Sequence, residues 1–263
     1  MPPFLALVRA GYQRHATYRQ ATWAAAFTNS VFGFLKCYLL LAVLGGAAAV
    51  GGYDARQLAT FVWVGQGLLG IVLLWGWTDL ADRVRTGDVT ADLLRPVRPL
   101  WSFLAADLGR AGHATLTRLT IPVAVGIIFF DLYAPAHLLS YPLTAVSVLL
   151  AVVISFSVRY LVNLTAFWLL DARGVVAAWM ICGNVLTGLT VPLPLFPGWA
   201  QAVLWATPFP WLYQAPLDVL LERGGAGHQA LLLAGQLGWV AALLGGCLLV
   251  ERRAVRKLVV QGG

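Results

Sequence analysis

The chain has 263 residues, of which 60% are hydrophobic and only 11% are charged, and its formal net charge is +7. Soluble domains are about 45–50% apolar and about 25% charged, so this composition excludes an ordinary soluble domain and indicates a membrane protein. The basic balance by itself would also fit a nucleic-acid-binding protein, but the distribution of the charges described below excludes that reading.

Six apolar runs recur along the chain, each with the roughly 20 residues that a helix needs to cross about 30 Å of hydrocarbon. They cover residues 22–45, 58–79, 114–133, 137–158, 174–193 and 229–250. The runs do not alternate as the strands of a membrane barrel do. The first run is too long for a signal-peptide core and no cleavage site follows it, so we expect a mature chain that starts near Met1. The sequence predicts one all-α transmembrane domain over 1–263 with six transmembrane helices.

Residues 1–21, ahead of the first run, have the pattern of a short interfacial helix. Phe4, Val8 and Tyr12 are spaced four apart, with arginine and glutamine residues off that line. This spacing suits a helix lying in the inner membrane interface. The helix would serve either as a mechanical link or as a simple basic anchor.

Lys36 lies within the first run and is the one charge that these ranges place mid-membrane. An intramembrane ammonium is costly, so it should face a cavity, a partner helix or another subunit, unless it snorkels or pairs locally. Lys36 is therefore a candidate substrate-pathway residue. Acidic residues fall only at the ends of the runs, which weighs against transport coupled to protons or sodium.

Segment 82–99 is the most polar stretch between two runs and contains RVRTGDVTADLLRPVRP. Gly87 should end the preceding helix, and Asp88 should cap a short helix that ends before Pro96. Acidic residues at the start of this helix and Arg95 at its end suit the helix dipole. We expect a short, rigid, charged helix in the cytoplasm, the form of a docking element.

Segment 194–223 is unusual because prolines alternate there with aromatic residues. Six of the 13 prolines fall between Pro192 and Pro216, a density that forbids one continuous helix. We expect two short helices, about 199–206 and 211–222, that re-enter the outer leaflet beside a translocation path, with an aromatic anchoring belt as the alternative. Asn184, which precedes this segment, and Trp199, Trp205 and Trp211 within it are candidate pathway residues.

Basic residues are concentrated in alternate loops of the predicted topology. Thirteen lie in the N-terminal segment, the second and fourth connections and the C-terminal tail, against only Arg56 and Arg223 in the other loops. If the fourth run extends to about residue 169, Arg159 leaves the count and twelve remain. By the positive-inside rule both termini are cytoplasmic. The charge thus indicates topology and contact with anionic membrane lipid, and no nucleic acid.

Sequence signatures of catalysis are missing or weak. No GxxxxGK[ST] occurs, so any ATP must be used by a partner. Three isolated cysteines and four scattered histidines lack metal-ligand spacing, so we expect no metal or cofactor on this chain.

Asp88 and Asp92 form a DxxxD that could hold magnesium and a pyrophosphate in a lipid-diphosphate transferase. Such enzymes generally carry two aspartate-rich motifs, and the other cytoplasmic loops contain no second one. Arg85 and Arg95 lie beside the two aspartates, which favours a salt-bridged helix surface. The transferase remains the alternative function.

Two motifs resemble those of the type-2 ABC exporter permeases. The first is GDVTADLLRPVRP at 87–99, and the second is NVLTGLTVPLPLFPGWAQAVLWATPFPWLYQAPLDVLL at 184–221. The closest resemblance is to the branch described as multidrug or viologen exporter permeases, and it covers essentially the whole chain.

The resemblance implies a bacterial inner-membrane subunit that exports a hydrophobic or amphipathic substrate by alternating access. Two permease chains, identical or not, would pair with separate ABC ATPase subunits that bind ATP and magnesium. By the same resemblance the ATPase contact comprises Arg85, Thr86, Gly87, Asp88, Asp92, Leu93 and Arg95. A scaffold that does not transport is a third possibility.

Overall fold

A computed structural model of the chain describes residues 3–17, 19–74, 77–169 and 173–257, apart from a few side chains. Arg19 and Arg173, two of the basic residues in the topology count, have side chains outside this description. The helices in the described ranges are α1 Pro3–Ala16, α2 Arg19–Leu44, α3 Ala55–Ile71, α4 Asp79–Thr86, α5 Val89–Leu93, α6 Pro99–Ala114, α7 Thr120–Phe129, α8 Ser140–Leu164, α9 Arg173–Leu186, α10 Gly198–Trp205, α11 Gln214–Leu220 and α12 Gly225–Val255. The described residues form no β-strand, so the predicted all-α class is confirmed.

Four helical stretches in the described ranges are long and apolar enough to cross a membrane. They are Trp23–Leu44, Pro99–Phe129, Ser140–Phe167 and Gly225–Val255. The second and fifth predicted spans correspond to α3 and α9, which have only 17 and 14 residues. The chain is thus an all-α polytopic membrane protein, while the count of six spans stays a prediction.

The predicted span 58–79 is wrong as a single helix, because α3 ends at Ile71. Arg110 donates to the carbonyl oxygens of Gly70 and Ile71, each at 2.8 Å. Tyr213 donates to the carbonyl of Val72, and Ser155 donates to that of Leu73. These side chains supply the hydrogen bonds that the open carbonyls at a helix end require.

The predicted span 114–133 begins too late and ends too late. Its helix starts at Pro99 and runs through a π-helical turn, Thr115–Leu119, to Phe129. Proline at the first helical position needs no N–H partner, so Pro99 begins a helix readily. Asp107 and Arg110, two charged residues ahead of the predicted span, pair with each other inside this helix.

The fourth predicted span follows the longer of its two predicted ranges. Helix α8 reaches Leu164, and a 3₁₀ turn continues to Phe167. Arg159 therefore lies within α8 rather than in a connection, and the basic count becomes twelve against two. The fifth span is shorter than the predicted 174–193, because α9 ends at Leu186 and Gly188 follows with φ of 82°.

The core lies around α3, most of whose residues from Leu58 onward are buried. The Trp63 ring packs edge-on against Phe34, with ring centroids 5.0 Å apart. Helix α11 is also almost wholly buried, whereas α10 carries exposed Trp199 and Val203. The two short helices of segment 194–223 therefore lie in different environments.

Helix α1 packs directly on α6. Gly11 has no space for a Cβ beside the backbone of Ala106, and Gly109 has none beside Val8 and Tyr12. Only glycine permits so close an approach of two helices. The first predicted span is α2 and the sixth is α12, both close to their predicted ranges.

Candidate functional site

The polar segment after α3 contains α4 and α5, which meet at Gly87. Gly87 ends α4 in the left-handed region, with φ of 84°, a conformation that glycine adopts without strain. Asp88 precedes α5 as predicted, but its side chain makes no capping bond to the helix. Its carboxylate instead accepts a hydrogen bond from Thr86 Oγ1 at 2.7 Å. The predicted break and short helix are present, and the predicted capping bond is wrong.

Asp92 holds α4 and α5 together. Its side chain is only 6% exposed, Arg83 Nη1 donates to Oδ2 at 2.8 Å, and Arg95 Nη1 lies 3.3 Å from Oδ1. Arg83 belongs to α4 and Arg95 follows α5, so the two ion pairs link both helices. Both arginines reach solvent, which screens the pairs and lowers their contribution to stability.

The outward surface of this segment is polar and exposed. Of the seven predicted coupling residues, Asp92 is buried and Leu93 is half-buried. The exposed five are Arg85, Thr86, Gly87, Asp88 and Arg95. Leu94 lies among them, is 88% exposed and was missed by the sequence reasoning. The available signal was the paired LL before Arg95, because a helix this short can bury one leucine while exposing its neighbour.

The opposite face of α4 is fixed to α8. Leu80 is 1% exposed, and the backbone N–H of Ala81 donates to Asn163 Oδ1 at 3.1 Å. Asn163 Nδ2 in turn donates to the carbonyl of Trp77 at 3.0 Å. The Trp77 ring stacks on Tyr160 of α8, with centroids 6.4 Å apart. A displacement of α4 therefore acts on α8 directly.

Three residues of α6 and α8, Asp107, Arg110 and Arg159, form a buried charge cluster. Their side chains are 7%, 11% and 3% exposed. Arg110 Nε lies 2.7 Å from Asp107 Oδ1, and Arg159 Nη2 lies 2.7 Å from Oδ2. Because Arg110 also binds the carbonyls at the end of α3, the cluster joins three helices.

The buried charge cluster was missed by the sequence reasoning. Lys36 is therefore not the only charged residue within a helix long enough to span a membrane. Asp107 and Arg110 lie in Pro99–Phe129, and Arg159 lies in Ser140–Phe167. The spacing of Asp107 and Arg110, three residues apart, is that of a helical ion pair and was the available signal. The pairing with Arg159, 52 positions along the chain, had none.

Two of the predicted pathway residues come together in the structure. The rings of Trp205 and Trp211 meet edge to face, with centroids 5.0 Å apart. Both line a cavity of about 490 Å³ between segment 194–223 and α12. Lys36 is half-buried on α2, Asn184 is exposed on α9, Trp199 is 75% exposed, and none of the three is among the lining residues.

The polar wall of this cavity, named the outer cavity after the predicted topology, includes Asp218 and Arg223. Asp218 Oδ1 accepts hydrogen bonds from Tyr53 and Gln214, each at 2.9 Å, and lies 3.3 Å from Arg223 Nε. The guanidinium of Arg223 also stacks over the Tyr53 ring, 3.7 Å from its centroid. These contacts fix an ion pair in the lining of the cavity, to which Trp205 and Trp211 also belong.

Glu222 lies in the connection between α11 and α12 and binds the connection between α7 and α8. Its carboxylate accepts hydrogen bonds from Tyr133, Ser140 and the backbone N–H groups of Ala136 and His137, at 2.6–2.9 Å. Burial alone would raise the pKa of Glu222, but the hydrogen bonds from Ser140, Tyr133 and the two amides outweigh it. They lower the pKa from 4.5 to about 2. Glu222 itself has φ of 54°, a backbone conformation that costs free energy outside glycine.

The DxxxD pair does not form an open metal site. Asp88 accepts from Thr86, and both oxygens of Asp92 are paired with arginines. Within the described ranges, no group of three or more histidine, cysteine, aspartate or glutamate side chains could hold a metal ion. This arrangement favours a helix-surface role over magnesium binding.

The chain is thus a polytopic membrane protein in which two short polar helices, α4 and α5, lie between α3 and α6. The chain matches the model of the ABC-2 family transporter proteins over residues 29–262, and it belongs to that family. It is therefore a membrane permease component of an ABC transporter, a class whose partner is an ABC ATPase subunit. No curated protein and no solved structure gives a significant match to the chain.

Proposed function

We propose that this chain is the transmembrane subunit of an ATP-driven exporter that moves a hydrophobic or amphipathic substrate outward by alternating access. A separate ABC ATPase would bind ATP and magnesium, and the chain itself would catalyse no reaction. The observation that carries the proposal is the α4–α5 segment, which has an exposed charged surface on one side and a fixed attachment to α8 on the other.

The segment has the physical properties of a coupling lever. Asp92 keeps α4 and α5 as one unit, and Asn163 and Leu80 attach that unit to α8. An ATPase that closes against Asp88, Leu94 and their exposed neighbours would therefore pull on α8. Exposed charges give such an interface specificity, and one desolvated apolar side chain gives it affinity.

The outer cavity supports the choice of substrate class. Its volume of about 490 Å³ is that of sites for drug-sized molecules, about 300–1,000 Å³. Trp205 and Trp211 supply aromatic surface, and Asp218 and Arg223 supply fixed polar groups. An amphipathic molecule would satisfy both. A bacterial cytoplasmic membrane, cytoplasmic termini and a second permease chain, identical or not, complete the proposed assembly.

The test is co-purification of the chain with a candidate ATPase, followed by transport and ATP hydrolysis in proteoliposomes. Leu94→Asp should weaken ATPase binding about tenfold or more, because it places a charge at the apolar contact. Asp88→Lys should reduce substrate-stimulated hydrolysis by reversing an exposed charge. The matched controls are Leu138→Asp, at a leucine that is 85% exposed, and Asp131→Lys, at an exposed aspartate.

The control variants should bind the ATPase and transport as the unmodified chain does. Normal ATPase binding and transport in both Leu94→Asp and Asp88→Lys would contradict the proposed coupling surface. Magnesium-dependent turnover of a polyprenyl diphosphate by the isolated chain would instead support the transferase. ATP hydrolysis by the partner ATPase that no candidate ligand changes would support a scaffold that does not transport.

A further inference from the structure

An apolar groove lies on the opposite side of α11 from the outer cavity. It measures about 460 Å³ and is enclosed by residues of α3, α7, α8 and α11. Pro216 and Leu220 of α11 line this groove, whereas Asp218 lines the outer cavity. Residues two positions apart on a helix point about 200° apart, because each residue turns the helix by about 100°. Helix α11 therefore separates the two spaces.

Most side chains that line the apolar groove are hydrocarbon. In the described part of the chain, only Thr120, Tyr141 and Thr144 bring a polar side-chain atom to the lining. Thr120 Oγ1 donates to the carbonyl of Leu116 at 2.8 Å, and Thr144 Oγ1 donates to that of Ser140 at 2.7 Å. Both hydroxyl protons are thus engaged within their own helices. Sites for small molecules usually hold several polar groups that orient the ligand, and this groove offers few.

The apolar groove opens toward the hydrocarbon of the membrane. Its walls α7 and α8 belong to two of the stretches that are long and apolar enough to cross a membrane. At its edge Ile127 is 64% exposed and Tyr141 is 48% exposed. At its floor Leu68 and Pro216 are buried. The groove therefore leads from the membrane-facing surface of the chain inward to α11.

The length of the apolar groove matches one leaflet of a bilayer. Leu119 and Ile127 line it eight residues apart, which is about 12 Å along the helix. The hydrocarbon of one leaflet is half of the total, or about 15 Å. Ile127 lies near the end of α7, so the groove reaches the membrane surface on the side of the α7–α8 connection. That side is the outer one in the predicted topology.

The size of the exposed residues beside the groove favours lipid over a second protein chain. Contacts between helices in membranes are enriched in small residues, because small residues let two backbones approach closely. Here Ile128, Phe129 and Leu149 are 73%, 64% and 52% exposed. Large, branched and aromatic side chains at these positions suit contact with fluid hydrocarbon.

From these observations we infer that the apolar groove binds one acyl chain of a membrane phospholipid. The groove selects the chain by its shape and its lack of polar atoms, while the head group stays at the membrane surface. The chain fills a space in which water and polar ligands find few partners. It lies against α11, so hydrocarbon supports one side of this helix and the outer cavity borders the other. This site goes beyond the proposed export function and does not depend on it.

The experiment maps phospholipid contacts on the purified full-length chain in nanodiscs, without an ATPase. The probe is a phosphatidylglycerol with a photoactivatable diazirine in the middle of one acyl chain, and peptide mass spectrometry locates the labelled residues. Labelling should reach Pro216, which is buried at the floor of the groove. The same diazirine chain on phosphatidylethanolamine should give the same pattern, because the groove contacts the chain and not the head group.

The decisive variant is Ala124→Phe, which places a ring in the groove at an exposed lining position. Each methylene group that loses its place costs about fourfold in affinity, so labelling of Pro216 should fall about tenfold or more. Ala145→Phe is the matched control, because Ala145 is exposed on α8 and is not among the lining residues. Labelling of Pro216 in this control should equal that of the unmodified chain.

Probes at different depths keep the inference testable if Ala124→Phe fails to fold. In the unmodified chain a diazirine close to the head group should label Ile127, and one near the methyl end should label Leu119. Labelling confined to Ile128 and Leu149 at every depth would show that lipid only surrounds the chain, and would overturn the inference.

Two further results would also reject the lipid site. One is strong labelling of Pro216 that is unchanged in folded Ala124→Phe, because the chain would then lie elsewhere. The other is a cross-link between Ile127 residues of two chains with Pro216 unlabelled, which would assign the groove to a second permease chain.

Discussion

The chain carries two groups of charged residues that lie in opposite environments. In the α4–α5 segment, charged groups such as Arg85, Asp88 and Arg95 face solvent. In the buried charge cluster, Asp107, Arg110 and Arg159 are almost entirely shielded from it. The first group presents a surface to a partner, and the second group joins helices to one another.

This contrast shows that the number of ion pairs says little about their roles. Exposed pairs contribute little to stability because solvent competes with them, so their arrangement is available for recognition. Buried groups depend on one another, because the removal of one leaves the others uncompensated. Substitutions at charges of graded burial should therefore give graded losses of stability.

Asp107→Asn should give the largest loss, because it leaves two buried guanidinium groups without a carboxylate. We expect about 3–5 kcal/mol lower stability toward unfolding. Denaturant unfolding in detergent, followed by circular dichroism, measures this loss. A loss of stability smaller than that of Asp131→Asn, at an exposed aspartate, would contradict the argument from burial.

Glu222→Gln should have the next largest effect. The amide NH2 replaces one of the two acceptor oxygens, so it opposes either the Tyr133 and Ala136 donors or the Ser140 and His137 donors, and about 1–3 kcal/mol should be lost. The pKa of Glu222 is about 2 in the fold against 4.5 ordinarily, so its ionised form stabilises the protein above about pH 4.5. That stability should disappear as the pH falls from 4.5 toward 2.

The pH dependence gives the Glu222 prediction its own control. Unfolding midpoints of the unmodified chain and Glu222→Gln should converge as the pH falls through this window. A constant difference between the two proteins from pH 5 down to pH 2 would show that ionisation of Glu222 does not stabilise the fold.

Asp92→Asn should cost less, about 1 kcal/mol, because Arg83 and Arg95 reach solvent when they lose their partner. Its main consequence should be functional, since α4 and α5 would no longer move as one unit. ATP hydrolysis and transport in the reconstituted complex would measure the loss of coupling. Full coupling in this variant would show that Asp92 does not hold the segment together.

Asp131→Asn should give the smallest effect. Asp131 pairs with Arg56 at 2.9 Å, but the two side chains are 75% and 54% exposed. We expect about 0.5 kcal/mol or less, and less again at high salt. A loss comparable to that of Asp107→Asn would remove burial as the explanation for the difference between the two groups.

Local features could be predicted from the sequence, and remote pairings could not. Gly87 and Pro96 predicted the break and the short helix of the coupling segment, because both act through their own backbone. The apolar runs predicted α2, α8 and α12 because membrane-length hydrophobicity is a property of a continuous stretch. The motifs at 87–99 and 184–221 predicted a type-2 ABC permease, and the family comparison confirmed it.

Features that depend on contacts between distant segments could not be predicted from the sequence. The second span was predicted too long, because nothing local indicates that Arg110 and Tyr213 bind the carbonyls at the end of α3. The outer aromatic pair was predicted as candidate pathway residues, but the cavity with Asp218 and Arg223 depends on how α11 and α12 pack.

The sequence by itself determined that the protein is an all-α membrane protein with a charged helical segment between apolar stretches. Composition, periodicity and the breaks at glycine and proline are local properties, so they do not depend on how distant segments pack. Tertiary structure alone decided which charges are buried. Asp88 and Asp107 look alike in sequence, but Asp88 is exposed and Asp107 is only 7% exposed between packed helices, because burial is a property of neighbours that the chain brings together only on folding.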